Sequence, residues 1–105
     1  MQNKINLEKI LTGKKENKKL SRVGKKLFEI LTIINEETNI QNGINIKGLT
    51  ETLNISRITV QNYKKALLEK EKIYSIPGIV DCRTTQYLIT KKGKDYLNYL
   101  QQFIQ

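Results

Sequence analysis

The sequence predicts a mainly α-helical domain with one small β-hairpin, an α+β fold that closes on a further helix. Apolar side chains recur at helical spacing over residues 20–38 and again over residues 57–70. Residues 73–89 contain two alternating segments rich in β-branched and aromatic residues, with Pro77 and Gly78 as turn residues between them. With 105 residues, the chain has room for one domain with a modest core.

Composition limits the classes of function. The formal net charge of +9 favours a polyanionic partner, with nucleic acid first and an anionic membrane surface second. Histidine is absent and Cys82 is the only cysteine, which removes the commonest general base and leaves no cluster of metal ligands. No nucleophile and base can be paired, so we expect no enzyme, no catalytic residue, no metal site and no cofactor.

The same composition bears on compartment. No apolar run approaches the roughly 18 residues that would span a bilayer, and Met1 to Lys4 is followed by no apolar signal-peptide core. We therefore expect a soluble cytoplasmic protein with no membrane partner. No small-molecule ligand is inferred.

The N-terminal segment, residues 1–19, divides into two parts. Leu7, Ile10 and Leu11 recur at i, i+3 and i+4, which predicts one or two helical turns. Residues 13–19 then form a basic linker, either a solvated connector or an arm that lies on phosphates.

The first long helix is predicted over residues 20–38. Asn39 to Gly43 breaks this helix, and the alternating residues 44–46 then predict a short strand. The apolar stripe of the helix comprises Leu20, Val23, Leu27, Ile30, Leu31 and Ile34.

A tight polar corner follows. Leu49 and Leu53 lie four apart on a short helix whose start Gly48 marks, and residues 54–56 form the turn after it. Ser56 is a good N-cap for a second helix over residues 57–70, because its hydroxyl can accept a backbone N–H of the first turn.

The second helix has two distinct sides. Val60, Tyr63 and Leu67 recur at i, i+3 and i+7 and predict the side that faces a core. The arrangement is that of a helix-turn-helix, whose second helix lies in the major groove of DNA, although any helical bundle contains similar corners. The opposite side carries Arg57, Ile58, Gln61, Asn62 and Lys65.

The hairpin raises two questions. Ile73 and Ile76 cannot both point inward with a period of two, which predicts a bulge or an early strand end near Pro77. Ile79 and Val80 are more apolar than a phosphate-contacting loop requires, so either the strands run further or these residues meet a partner.

The closing helix is predicted from Lys91 to about Phe103, with Thr90 as its cap. Its wide apolar face suggests pairing with a second copy of the chain. Alternatively, Leu7, Ile10 and Leu11 fold back and cover this face within one chain. The face comprises Tyr96, Leu97, Leu100, Phe103 and Ile104, with Tyr99 at its margin.

Over about residues 20–100, these patterns resemble the winged helix-turn-helix DNA-binding domains of bacterial and archaeal transcription regulators, most closely small archaeal and MarR-like or PadR-like proteins. The resemblance implies a winged domain over residues 20–90. Residues 91–105 form the C-terminal helix, whose apolar face is expected to serve dimerisation. The resemblance also implies that strand 44–46 pairs with the wing. Glu71 departs from such families, which often have glycine there. The matching residues are Leu49, Leu53, Ile55, Ser56, Thr59, Val60, Tyr63, Leu67, Ile73, Tyr87, Ile89, Thr90, Lys92, Gly93, Tyr96 and Leu97.

The predicted function is sequence-preferring binding of double-stranded DNA by a homodimeric transcription regulator. Helix 57–70 would enter the major groove, and hairpin 73–89 would serve as the wing. Gln61 and Asn62 suit adenine, Arg57 suits guanine, and lysines suit phosphate. The predicted DNA-contacting residues are Lys47, Thr50, Ser56, Arg57, Ile58, Thr59, Gln61, Asn62, Lys64, Lys65 and Arg83.

Two other functions fit the same sequence. A winged-helix protein-interaction module is favoured by Ile79 and Val80, with the basic charge incidental. A plasmid or viral replication factor, or an architectural factor, would share the DNA chemistry and differ in where it binds.

Arg83 is equally compatible with a backbone or minor-groove contact and with a solvated loop.

Overall fold

Four helices and two small antiparallel hairpins make up the part of the chain that the computed structural model describes, residues 5–78, 81 and 83–104. This arrangement confirms the mainly helical fold with a small β-hairpin. In chain order the elements are β1 (Leu11–Thr12), β2 (Lys19–Leu20), α1 (Arg22–Gln41), α2 (Ile46–Leu53), α3 (Arg57–Glu69), β3 (Ile73–Pro77), β4 (Thr85–Ile89) and α4 (Lys91–Gln101).

The predicted N-terminal helix is wrong for the described residues. Residues 5–10 form turns, in which the Asn6 side chain accepts a hydrogen bond from the Glu8 N–H at 2.9 Å, and β1 follows. A free helix of one or two turns is marginal in water. Pairing β1 with β2 satisfies backbone groups and still buries Leu7 and Ile10 in the core.

Helix α1 starts two residues later than predicted, because Leu20 belongs to β2. The hydroxyl of Ser21 accepts a hydrogen bond from the Gly24 N–H at 3.1 Å and caps the helix. Asn42 ends it in the left-handed conformation, with φ of 58°. The predicted polar break is confirmed at Asn42 and Gly43, but α1 runs through Gln41 and so ends three residues later than predicted.

The corner between α2 and α3 is built as predicted, except that α2 begins at Ile46 rather than at Gly48. Asn45 caps α2 by accepting the Gly48 N–H at 2.7 Å, and Asn54 ends α2 with φ of 54°. Ser56 caps α3 by accepting the Thr59 N–H at 3.1 Å. Because each end is satisfied locally, the two helices meet at a defined angle with only Ile55 between their caps.

The second hairpin pairs β3 with β4 in an unbroken register from Ile73 opposite Ile89 to Pro77 opposite Thr85. Of the two predicted alternatives, the bulge is wrong and the strand end near Pro77 is confirmed, since β3 ends at Pro77. Ile76 lies on the other face of the ribbon and is only half-buried. Ile44 pairs with Tyr87 in an isolated bridge, which confirms the predicted pairing with the wing at one residue. The predicted strand over residues 44–46 is wrong, because Asn45 caps α2 and Ile46 begins that helix.

Glu71, the departure from the family pattern, has φ of 57°. Glycine adopts this left-handed conformation without steric cost, whereas another L-residue pays about 1–2 kcal/mol. The turn nonetheless forms, because Lys72 N–H reaches Leu67 O at 2.9 Å and the Thr90 hydroxyl donates to Glu71 O at 2.6 Å. The chain therefore enters β3 without a glycine.

Helix α4 packs along α1 and is covered by the N-terminal segment. The Tyr96 hydroxyl donates a hydrogen bond to Leu7 O at 2.7 Å, and burial raises the pKa of the Tyr96 phenol. Leu97 and Leu100 lie in the core, and Leu100 is completely buried. The structure thus contains the alternative arrangement, in which N-terminal residues fold back over this face.

Among the described residues, no helix combines the length and the apolar character needed to cross a bilayer.

Candidate nucleic-acid interface

Helix α3 turns its apolar residues inward and its polar residues outward. Val60 and Leu67 are 1% and 0% exposed, and Tyr63 is buried beside them. On the opposite side Ile58 is 75% exposed. The predicted division of this helix into two sides is confirmed. Of the remaining outward residues, Arg57 and Lys65 are exposed and Gln61 and Asn62 are half-buried.

Two hydroxyls hold the start of α3. Ser56 Oγ and Thr59 Oγ1 lie 2.8 Å apart, and Ser56 Oγ also accepts the Thr59 N–H. Ser56 therefore serves primarily as the cap, as predicted. The Thr50 hydroxyl donates a hydrogen bond to Ile46 O at 2.9 Å within α2.

The predicted phosphate-binding lysines point in different directions. Lys47 projects from the first turn of α2 with 82% of its side chain exposed and has only a 4.0 Å contact with Glu51. Lys64 Nζ lies 5.8 Å from the centre of the Tyr87 ring, a cation–π contact that directs it towards β4. Lys65, one residue later, is exposed.

At the tip of the second hairpin, Arg83 is paired rather than free. Its Nε lies 3.2 Å from Asp81 Oδ1, although 89% of its side chain is exposed. The backbone N–H of Arg83 donates to the same carboxylate at 3.0 Å, and this bond together with the guanidinium lowers the pKa of Asp81. Ile79 and Val80, the residues that favoured a protein partner, lie outside the described residues.

Several solved structures share this arrangement of helices and hairpin. BldR from Sulfolobus solfataricus, a transcriptional regulator, is 21% identical and aligns with a TM-score of 0.65 over 73% of this chain and 52% of its own. A transcriptional regulator from Thermotoga maritima is 21% identical and aligns with a TM-score of 0.59 over 73% and 51%. The fold is a winged helix-turn-helix.

A third structure adds a ligand. A variant of MepR from S. aureus, bound to an oligodeoxyribonucleotide, is 18% identical and aligns with a TM-score of 0.62 over 79% of this chain and 56% of its own. This chain thus spans about half the length of each of the three structures. No protein-family model matches the sequence, and no curated protein matches it.

Within one chain, some of the residues predicted at a dimer interface are buried and others are exposed. Leu97 and Leu100 are 8% and 0% exposed within one chain and lie in its core. Tyr99 and Ile104 remain 43% and 42% exposed. Phe103 is half-buried and contacts Tyr99 edge to face, with ring centres 5.3 Å apart.

Sequence reasoning did not predict the contact between Asp81 and Arg83 at the wing tip. The spacing Asp81-Cys82-Arg83 contains the signal, because a carboxylate can bond a backbone N–H two residues ahead in a turn. Asp81 O also accepts the Thr84 N–H at 3.0 Å, so this residue orders the tip that presents Arg83.

Proposed function

We propose that this winged helix binds double-stranded DNA with a sequence preference and regulates transcription. Helix α3 would lie in the major groove, and the wing, β3 and β4, would lie along the neighbouring backbone. The observation that carries the proposal is the outward side of α3. It offers amide, guanidinium and ammonium groups on a helix whose other side is fully committed to the core.

Each outward residue suits a particular part of a duplex. Gln61 and Asn62 suit bidentate bonds to adenine, and Arg57 suits the acceptors of guanine. The side chain of Ile58, which is 75% exposed, suits an apolar contact with the methyl group of thymine. Lys65 suits phosphate oxygens.

The similar structures support the same proposal. Two of them are transcriptional regulators, and the MepR variant was crystallised with an oligodeoxyribonucleotide. Lys47 lies on α2, the helix that would cross the backbone beside the groove, and its exposed ammonium suits a phosphate there.

Selection from random duplex DNA should enrich one preferred site, and binding to any duplex should weaken steeply with salt. Each phosphate contact releases counterions and contributes a slope of about −0.9 to log K against log salt. Fluorescence anisotropy across a salt series measures this slope. A flat dependence, together with no enriched sequence, would contradict the proposal and favour the protein-interaction module.

We further propose that two copies pair through Tyr99, Phe103 and Ile104. These residues form an exposed apolar surface at the end of α4, which a partner copy would remove from water. A two-fold pair would bind two half-sites, so the selected site should be an inverted repeat.

A Tyr99→Glu, Ile104→Glu double variant should be a folded monomer. Both side chains are more than two-fifths exposed, so the charges disturb little within one chain but oppose each other across a pair. Light scattering measures the mass. Tyr74→Glu is the control, because Tyr74 is 45% exposed on the wing and its replacement should leave the mass unchanged. An unchanged mass for the double variant would rule this surface out.

A further inference from the structure

The excess positive charge of the chain does not lie on α3. Residues 9–26 contain eight basic side chains and one acidic side chain, a net +7 of the total +9. Residues 57–69, by contrast, contain three basic side chains and one acidic side chain, a net +2. The eight basic residues are Lys9, Lys14, Lys15, Lys18, Lys19, Arg22, Lys25 and Lys26. The strongest attraction for a polyanion is therefore centred on the first hairpin and the start of α1.

The first hairpin, residues 11–20, is called here the basic hairpin. Its lysines lie on a hydrogen-bonded turn and two paired strands. Leu11 pairs with Leu20 and Thr12 with Lys19, and the Ser21 N–H donates to Ile10 O at 2.7 Å. Leu20 is 4% exposed and anchors one end of the hairpin in the core.

The tip of the basic hairpin is also closed. The Asn17 N–H donates to Lys14 O at 2.8 Å. Gly13 has φ of 97°, and a Cβ there would lie 2.5 Å from Asn17 O, so the turn requires glycine. Such a turn loses less conformational entropy on binding than a flexible linker would.

Four lysines of the basic hairpin face solvent: Lys14, Lys15, Lys18 and Lys19. Within the described part of the chain, none of the four forms an ion pair, whereas Lys26 on α1 is 2.9 Å from Glu29. Their charges are therefore available to phosphates. A solvated surface needs no anchored and closed turn to display them, and this is what separates the basic hairpin from an ordinary charged loop.

The basic hairpin and the wing lie at opposite ends of α1. The hairpin leads directly into the start of α1, whereas the Ile89 N–H of the wing donates to Thr38 Oγ1 near its end at 3.0 Å. A helix of 20 residues is about 30 Å long, close to the roughly 34 Å of one DNA turn. The longest extent of the molecule is 48 Å. A single chain is thus long enough to meet phosphates about one turn apart.

We infer that the basic hairpin is a second DNA contact, which binds the phosphate backbone flanking the site occupied by α3 and the wing. This inference rests on the proposed function. The contact would be blind to sequence, because ammonium groups on a short turn neutralise phosphates but read no base edges. It would lengthen the footprint and raise the affinity for all duplexes, leaving the preference of α3 unchanged.

The test replaces the four hairpin lysines in the full chain (Lys14→Gln, Lys15→Gln, Lys18→Gln, Lys19→Gln) and measures binding against salt. On a duplex of about three helical turns, the slope of log K against log salt should become shallower by about 3 to 4, since each contact contributes about 0.9. On a duplex of about one turn, the slope should not change, because the flanking phosphates are missing. An unchanged slope on the long duplex, or an equal loss on both, would overturn the inference.

A matched variant removes the same four charges elsewhere, from Lys70, Lys91, Lys92 and Lys94, all of which are exposed. It should retain the slope of the native chain on the long duplex, and an equal loss there would show a general charge effect and overturn the inference. Vesicles of anionic phospholipid provide a further arm: loss of vesicle binding with an unchanged DNA slope would overturn it in favour of a membrane contact. If the native chain itself binds duplex without a steep slope, the proposed function fails instead.

Discussion

Replacing Leu100 by glutamate is expected to unfold the protein. Leu100 is completely buried where α4 packs against α1. Removing a buried leucine side chain costs about 2–5 kcal/mol, and an unpaired buried carboxylate costs several kcal/mol more. Small domains are stable by only about 5–15 kcal/mol, so this loss consumes most or all of that margin. Urea titration followed by far-ultraviolet circular dichroism measures the effect.

Gln101→Glu is the matched control for this variant. Gln101 follows Leu100 directly on α4 and is exposed, so the same charge there should change the free energy of unfolding by less than about 0.5 kcal/mol. A Leu100→Glu protein with the native unfolding transition and half the native mass would contradict the structure. It would restore Leu100 to an interface between copies.

The ambiguity of α4 shows where sequence reasoning stops. Periodicity placed Leu97, Leu100, Phe103 and Ile104 on one apolar face, but it could not say what covers that face. Leu7 contacts this helix through the hydrogen bond from the Tyr96 hydroxyl, which joins residues 89 positions apart in sequence. Long-range contacts of this kind leave no local pattern in a single sequence.

The corner, in contrast, was predictable because its signals are local. Ser56 as a cap, Asn54 as the turn residue and the inward side of α3 each depend on residues within one or two helical turns. The N-terminal helix failed for a related reason. Leu7, Ile10 and Leu11 have helical spacing, but a segment so short takes whatever backbone partner the fold offers, here the strand at Leu20.

At the candidate site, the direction of each polar side chain depended on neighbours that the sequence separates. Lys64 and Lys65 are adjacent, yet Lys64 turns to the Tyr87 ring while Lys65 is exposed. Arg83 forms an ion pair with Asp81, so it can bind a phosphate only if it gives up its contact with that carboxylate. Helical periodicity predicts which residues lie on the outward side of α3. Contacts with the second hairpin then determine which of the cations there remain available to bind phosphate.

Replacing Gln61 and Asn62 by alanine should abolish the preference for the selected site and leave general DNA binding nearly intact. Bidentate amide contacts to adenine discriminate by about 1–3 kcal/mol each. The two residues are adjacent, so their joint effect need not equal the sum. Neither side chain is buried in the core, and the fold should survive. Competition between the selected duplex and random duplex at one salt concentration measures the preference directly.

Asn98→Ala with Gln101→Ala makes the same chemical change on the exposed side of α4 and should keep the full preference. The salt slope supplies the second readout, because amides neutralise no phosphate and their loss should leave it unchanged. Equal losses of affinity on selected and random DNA would mean that α3 reads no bases through these amides. The exposed Ile58 and the cations around it would then form a surface that recognises the shape or charge of its partner. The proposal that α3 reads bases in the major groove would be contradicted.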